Sequence, residues 1–282
     1  MVVFTIRFIC TAILTAAPAV VSLSDLYFVK TRDAGSGQVE VHTASPNDNY
    51  GSATGHFVSG YSVDEGKNGD FTLDSGVLYF IKTRNTGAGA LEVYSTTKAS
   101  SYETISLHSG TVFSLSDAEN GVWNVDDGGF YLVKTGGTGS GHVEVYRAGP
   151  GKWDTLKLHA ATTIPQDEGE DGTWVIYRGD LFFMKYGNTR GNNVEVHVIQ
   201  GGSGNYGGQP TAYTTSFDVR DGGNGIWDIG INRDLYFIKT RNTGSGHVEV
   251  HIASASSQYR DINYYTSWIS EGDGPDRAWC VD

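Results

Sequence analysis

The chain has 282 residues, of which 39% are hydrophobic and 12% aromatic, so it is long enough and apolar enough to bury a globular core. Its formal net charge of -12 at pH 7 disfavours non-specific binding to nucleic acid or to an anionic membrane. The 38 glycines suit many tight turns.

The N-terminal segment is apolar and ends in a small-residue pattern. It reads MVVFTIRFICTAILTAAPAV, and its last residues, Ala17-Pro18-Ala19, are typical of a secretory cleavage site. We therefore predict a signal peptide over residues 1–19 and a secreted, extracellular protein. The alternatives are an apolar strand or a membrane anchor, and the anchor is disfavoured because Arg7 interrupts the apolar run. No later segment is apolar enough for a membrane span.

The two cysteines are far apart, at Cys10 and Cys280. Removal of the leader would leave Cys280 without a partner in its own chain. We predict that Cys280 is a small buried hydrophobic residue in the last strand, and pairing between chains is the alternative.

One segment recurs five times, starting near residues 26, 78, 130, 181 and 235. The second copy reads LYFIKTRNTGAGALEVY. The glutamate of each copy marks the period, with steps of 52, 52, 51 and 54 residues: Glu40, Glu92, Glu144, Glu195 and Glu249. A repeat of this length, built from short strands and glycine turns, is typical of a radial array.

Each copy predicts four short strands. LYFIKT alternates as a strand, RNTGAG can turn the chain back, and LEVY is the second strand. A third strand follows, then an acidic, glycine-rich turn and a fourth strand that carries a bulky aromatic residue. These aromatic residues are Phe71, Trp123, Trp174, Trp227 and Trp279.

The sequence therefore predicts an all-β fold, a single five-bladed β-propeller over residues 25–282 with four antiparallel strands per blade. The first copy has no tryptophan strand before Leu26. We expect the C-terminal strand around Trp279 to pair with the strand at Leu26, because this closes the first blade and removes an exposed sheet edge.

The repeat LYFIKTRNTGSG…VEVH, followed by an aromatic residue, a short strand and a Gly-x-Trp strand, resembles the FG-GAP or VCBS-type propeller repeats of secreted microbial proteins. Similar repeats form integrin-like propeller lectins of fungi. The resemblance covers residues 26–282 and implies a propeller used for binding, adhesion or spacing.

In that family, the turn after the tryptophan strand often holds calcium. Here the corresponding turns, such as NVDDGGFY at 124–131, are short and lack the full set of carboxylates. We therefore expect no metal and no other cofactor. Calcium in the acidic turns before each tryptophan is the alternative, for example at Asp167, Glu168, Glu170 and Asp171.

A second aromatic column introduces the third strand of every copy and follows a polar loop, so we expect it near the surface. An exposed aromatic ring beside amide and hydroxyl groups can stack on a sugar. The hairpin loops add arginine and asparagine side chains to this hypothetical glycan site. The predicted ligand-binding residues are Tyr50, Tyr102, Trp153, Tyr206, Tyr259, Arg84, Asn85, Arg241 and Asn242.

Other repeated positions are interpreted as structural. The lysine and glutamate columns, such as Lys82 and Glu92, predict a cross-strand ion pair in each blade. The histidines are replaced by Tyr or Ala in some copies, which disfavours a metal ligand in every blade. No G-x-S-x-G, H-E-x-x-H or P-loop motif occurs, and no polar constellation that breaks the repeat stands out, so we predict no catalytic residues.

Together these patterns predict a secreted, non-catalytic, lectin-like propeller that binds glycans or cell-surface glycoconjugates. Repeated weak sites on one ring can raise avidity by ~10²–10⁴. One alternative is a platform for protein interaction or adhesion. Another is a polysaccharide hydrolase or lyase, which would need an acid or base present in one blade only and lining the central channel.

Overall fold

The computed structural model describes residues 23–282 apart from 88, 119, 202–204 and 275–276. Within this range the chain is built from short antiparallel strands. The strands are β1 (Leu26–Lys30), β2 (Gln38–Ala44), β3 (Gly55–Ser62), β4 (Gly69–Asp74), β5 (Val77–Lys82), β6 (Ala90–Thr97), β7 (Ser106–Ser114), β8 (Gly121–Asp126), β9 (Gly129–Lys134), β10 (His142–Ala148), β11 (Lys157–Pro165), β12 (Gly172–Tyr177), β13 (Asp180–Lys185), β14 (Asn193–Ile199), β15 (Thr211–Asp218), β16 (Gly225–Ile229), β17 (Leu235–Lys239), β18 (His247–Ala253), β19 (Ile262–Ser270) and β20 (Arg277–Val281).

Short helical segments connect the strands. Single α-turns lead from the outer strand of one blade to the inner strand of the next: α1 (Val63–Gly66), α2 (Leu115–Ala118), α3 (Gln166–Gly169) and α4 (Val219–Gly222). 3-10 turns lie at Pro46–Asp48, Lys98–Ser100, Trp153–Thr155, Ile231–Arg233, Ala255–Ser257 and Glu271–Asp273.

The strands form five four-stranded sheets, which confirms the predicted five-bladed propeller. The second to fifth blades use consecutive strands, β4–β7, β8–β11, β12–β15 and β16–β19. The first blade has the order β20-β1-β2-β3, so the two ends of the chain share one sheet. In it Leu26 pairs with Val281 and Phe28 with Trp279, as the missing N-terminal strand predicted.

The innermost strands surround a central axis. Strands β20, β4, β8, β12 and β16 contact one another in this order around the ring. Each of them ends on the same face of the propeller, here called the front face. Neighbouring strands are antiparallel, so the hairpin loops and the short α-turns lie on the opposite, back face. These hairpin loops follow the strands that are second from the axis, which are β1, β5, β9, β13 and β17.

The hydrophobic core lies between the blades. Each of the five interfaces buries apolar side chains from two neighbouring sheets, for example Val133 and Val143 against Trp174 and Phe183. The Trp174 indole stacks on Phe183 with ring centroids 4.2 Å apart, and its Nε1 donates to the Gly169 carbonyl at 2.9 Å. The aromatic residues of the inner strands thus pack between blades with their polar edge satisfied.

Glycine opens the inner strands of the second to fifth blades for a steric reason. A Cβ at Gly172 would lie 2.0 Å from the Met184 carbonyl oxygen, and one at Gly225 would lie 2.1 Å from that of Ile238. The Gly-x-Trp pattern therefore reports close backbone contact between the inner strand and its neighbour.

Cys280 is a buried free thiol packed between the first and second blades, as predicted. The predicted signal peptide, residues 1–19, lies outside the described residues, so secretion stays a prediction. Across the described part of the chain, no helix has the length and apolar character needed to cross a membrane.

Candidate functional site

The predicted sugar-binding aromatic column is buried, so the expectation of exposed rings is wrong. Its side chains are between 0% and 4% exposed: Tyr50, Tyr102, Trp153, Tyr206 and Tyr259. Tyr50 donates to the Ser24 carbonyl at 2.8 Å, and Tyr206 donates to the Gly179 carbonyl at 3.0 Å. These rings follow turns at the front face and fill the spaces between neighbouring blades.

The predicted loop residues lie on the other face of the ring. Arg84, Asn85, Arg241 and Asn242 are exposed on back-face hairpins, whereas the aromatic column follows turns at the front face. The two asparagines tie these hairpins to the preceding turns, with Asn85 donating to Asn68 at 2.9 Å. The structure therefore does not bring the aromatic and loop residues into one ligand site.

The lysine column pairs with the acidic turns rather than with the glutamate column in three blades. The lysine Nζ to carboxylate distances are 3.4 Å for Lys82–Glu65, 2.9 Å for Lys185–Glu168 and 2.9 Å for Lys239–Asp221. The glutamates instead accept bonds from their own hairpin loops. Glu249, for example, accepts from the Gly244 N–H at 3.0 Å. Both columns hold turns in place.

An axial cavity of about 650 Å³ opens at the front face, a size in the range of small-ligand sites. It lies where the inner strands end and turn outward. Four of the five blades contribute carboxyl groups to its wall: Asp74, Asp126, Asp127, Asp228 and Asp282.

Most of these carboxylates cross from one blade to the next. Asp74 of the second blade accepts from the Gly128 N–H at 2.9 Å. Asp126 of the third blade accepts from the N–H groups of Arg178 and Gly179, both at 2.7 Å. Backbone bonds to Asp126 favour its charged form, but desolvation is the larger effect and raises its pKa.

Asp228 of the fifth blade breaks the repeat. It follows Trp227, at the position where the other blades have Thr72, Asn124, Val175 and Cys280. Its carboxyl group accepts from the Ile229 N–H at 2.8 Å and from the Val281 N–H at 3.0 Å. Burial raises the pKa of Asp228 to about 7 in spite of these bonds, so this group holds a proton over most of the acid range.

A hydrogen-bonding group on the same wall lacks a partner. The Asn124 side chain is 7% exposed, and its Nδ2 makes no hydrogen bond to the described residues, while its Oδ1 accepts from the Ile176 N–H at 3.2 Å. An unpaired amide beside a polar cavity is costly unless a ligand or water completes it. Arg147, whose guanidinium lies 5.4 Å from the Tyr131 ring centre, adds a cation to the wall.

The axial cavity was not among the predicted sites, because the aromatic columns are the most conspicuous repeated positions in the sequence. The signal was present one residue after each inner-strand aromatic, where the five copies differ from one another. An acid in one copy only is what a catalytic group in a repeat protein would look like, and Asp228 meets that description.

Comparison with known proteins finds no matching family model and no matching curated protein. Among solved structures, an exo-β-1,3-galactanase from Clostridium thermocellum aligns over 91% of this chain and 58% of its own, with 11% identity and a TM-score of 0.42. An α-L-arabinofuranosidase from Podospora anserina, in complex with cellotriose, aligns over 66% and 63% with 14% identity and a TM-score of 0.34. A GH43 glycoside hydrolase engineered for endo-xylanase and exo-arabinofuranosidase activity aligns over 72% and 42%, with 12% identity and a TM-score of 0.39.

The chain thus spans less than two thirds of the length of each of these structures. Likenesses this distant carry no activity over to this chain. The similar structures also include a prolyl endopeptidase, which aligns over 81% of this chain and 31% of its own with 10% identity and a TM-score of 0.35. The prediction of a lectin-like glycan site is wrong because its aromatic rings are buried. The prediction that the protein is not an enzyme rested on finding no acid confined to one blade, and Asp228, which lines the axial cavity, is such an acid.

Proposed function

We propose that the protein cleaves glycosidic bonds in its axial cavity, with Asp228 as the proton donor. One observation carries this proposal. Asp228 lines the cavity, and burial keeps its pKa at about 7, so it can hold a proton near neutral pH and give it to a leaving oxygen. A general acid works best when its pKa lies near the working pH.

Glycoside hydrolysis requires a second carboxyl group in a different protonation state. We assign this role to Asp126, because the two backbone N–H groups that donate to it favour its charged form against the desolvation that raises its pKa. Both of its oxygens accept backbone N–H groups, and it comes from the third blade, which is not adjacent to the fifth. The two carboxyl groups therefore approach the cavity from different sides of the ring, as acid and base must approach a bond between them.

The remaining wall suits a hydroxyl-rich ligand. Asn124 offers an unpaired amide N–H, and Arg147 offers guanidinium N–H groups to sugar hydroxyls. The half-buried Tyr177 ring lies on the same wall and can stack on the C–H face of a sugar. The substrate class that fits this set is a neutral oligosaccharide or the end of a polysaccharide chain.

The test is release of reducing ends from a panel of plant and microbial glycans, including galactans and arabinoxylans, by the purified full chain. We expect cleavage by the wild-type protein and a loss on the order of 10²–10⁴-fold in D228N, the usual contribution of a general acid. D154N, at an exposed carboxylate outside the cavity, is the control and should keep full activity.

Two results would overturn the proposal. One is a folded wild-type protein that cleaves nothing on the panel. The other is D228N with unchanged activity, because the carboxyl group would then be purely structural.

A further inference from the structure

We infer that the first blade holds a divalent transition-metal site formed by Glu40, His42 and His56, with zinc as the ion that suits it best. This site lies on the outer strands, apart from the axial cavity. The nitrogen and oxygen atoms that could bind the ion lie within 4.8 Å of one another. The set of two imidazoles and one carboxylate is a common one for zinc with an open coordination position.

The topology explains why these three side chains meet. Glu40 and His42 are two residues apart on β2, so they point to the same side of the sheet. His56 on β3 is directly opposite His42 in the antiparallel register. The two imidazole rings lie parallel, with centroids 4.5 Å apart and an interplanar angle of 7°.

The distances suit a bound ion. Glu40 Oε2 lies 3.4 Å from His42 Nε2 and 3.5 Å from His56 Nε2. Two ligands bound to zinc at about 2.0–2.1 Å in a tetrahedral arrangement are about 3.3–3.5 Å apart. The His56 side chain is 53% exposed, so its ring can turn to meet the ion and the open position faces solvent.

The carboxylate is already oriented. Glu40 Oε1 accepts from the Ser36 hydroxyl at 3.0 Å, which leaves Oε2 directed at the histidines. Such support of a metal ligand by a neighbouring hydrogen bond tightens metal binding.

The Nε2 of His42 gives an independent indication. It is buried and makes no hydrogen bond of good geometry to the described residues, although Glu40 is near. In the fourth and fifth blades the matching histidine Nε2 lies closer to its glutamate, at 3.0 Å for His197–Glu195 and 3.2 Å for His251–Glu249. A buried ring nitrogen held only by a long contact to a carboxylate is a group that a metal ion would satisfy.

The other blades provide matched controls because they lack the third ligand. The residue opposite the His or Tyr is Leu107, Leu158, Ala212 or Tyr264. In the fifth blade Glu249 and His251 are in place, and Tyr264 stands where the first blade has His56. Only one residue separates this blade from the full set.

The experiment is zinc titration of the tag-free full chain by calorimetry after chelator treatment, with cobalt absorption as a spectroscopic check. We expect one tight site per chain. H56A and E40Q should each weaken it by at least about tenfold, the lower bound for losing even a supporting group. E249Q should leave it unchanged, and Y264H should add a second site.

Wild-type protein that binds zinc no more tightly than H56A would overturn the inference. So would a cobalt spectrum that is the same in H56A and wild type. His56 is exposed, so H56A should fold, and an unchanged melting temperature in the presence of chelator verifies this. The glycan-cleavage assay is a separate readout, so failure here leaves the axial-cavity proposal standing.

Discussion

The Trp279 indole packs against the Phe28 ring with centroids 4.6 Å apart, so the last strand of the chain is held to the first by an aromatic pair as well as by the backbone ladder. Trp279 is 4% exposed and contributes to the core between the first and fifth blades. The same contact occurs inside the second, fourth and fifth blades, for example Trp227 on Phe237 at 4.2 Å, whereas the third blade has Leu132 opposite Trp123.

Trp279→Ala should destabilise the protein by about 3–5 kcal/mol, because it removes a large buried side chain at the closure of the ring. Urea unfolding measures the loss. Trp279→Phe is the matched control, with a smaller loss of roughly 1–3 kcal/mol, since the second blade already uses Phe71 stacked on Phe80 at this position. Equal losses for the two variants would contradict this account of the closure.

Asp126→Asn should destabilise the fold by about 1–3 kcal/mol, because the amide cannot accept both N–H groups of the fourth blade. Its neighbour Asp127 is exposed and serves as the control. Asp127→Asn should change the unfolding free energy by less than about 0.5 kcal/mol. Chemical denaturation of both variants at one pH distinguishes them. Similar unfolding free energies would show that the hydrogen bonds accepted by Asp126 contribute little to stability.

Asp228 should make the protein less stable as pH rises through the weakly acidic range. Its pKa is about 7 in the folded protein, against an ordinary value of 3.8, so the folded state keeps the proton up to a higher pH than the unfolded state does. The stabilisation from this group is complete below the lower value and is lost as pH approaches the upper one. The total change is roughly 4 kcal/mol at most.

The measurement is the difference in unfolding free energy between wild type and D228N from about pH 4 to pH 8, since the difference cancels other titrating groups. It should fall with pH and then level off. Glycan cleavage, if Asp228 donates the proton, should decline above about pH 7 for the same reason. A flat difference would place the pKa of Asp228 near its ordinary value.

Tyr259→Ala should destabilise the protein and Arg241→Ala should not, although both residues were predicted to bind a ligand. Tyr259 is 4% exposed between the fourth and fifth blades, so its loss should cost about 3–5 kcal/mol. Arg241 is exposed on the back face, so its loss should change stability by less than about 0.5 kcal/mol. Thermal melting of the pair tests this, and a tolerated Tyr259→Ala would contradict the burial of the column.

The Cys280 thiol should be inert in the folded protein. Burial raises its pKa far above the ordinary range, and its side chain is 3% exposed. We expect no reaction with a thiol reagent under native conditions and full reaction in denaturant. Rapid labelling of the native protein would show that the last strand opens readily.

The fold could be predicted because period and strand alternation are local properties of the sequence. Five copies with Glu40 and its equivalents at near-constant spacing define the blades, and the unpaired start at Leu26 defines the closure. The lysine contacts could not be predicted in the same way. The short α-turns bring acids such as Glu168 to Lys185 from outside the hairpin. The acid lies 17 or 18 residues before the lysine in all three pairs, but that offset alone does not show that the turn folds back onto the strand.

The exposure of the second aromatic column was predicted wrongly for a related reason. Tyr50, Tyr102 and Tyr259 follow polar loops, which favours exposure, but they adopt positive φ values near 60° that turn the rings into the space between blades. The position of Asp228 could not be interpreted without knowing which face of the inner strand borders the axis. Both cases depend on side-chain direction, which a period does not specify.

The shared first blade imposes an order on biosynthesis. Strands β1 to β3 are translated well before their partner β20, since sixteen other strands lie between them. Until then a nascent chain carries an open sheet edge at β1, the kind of edge that pairs with foreign strands. A truncation that removes only the final residues should therefore yield aggregated rather than merely inactive product.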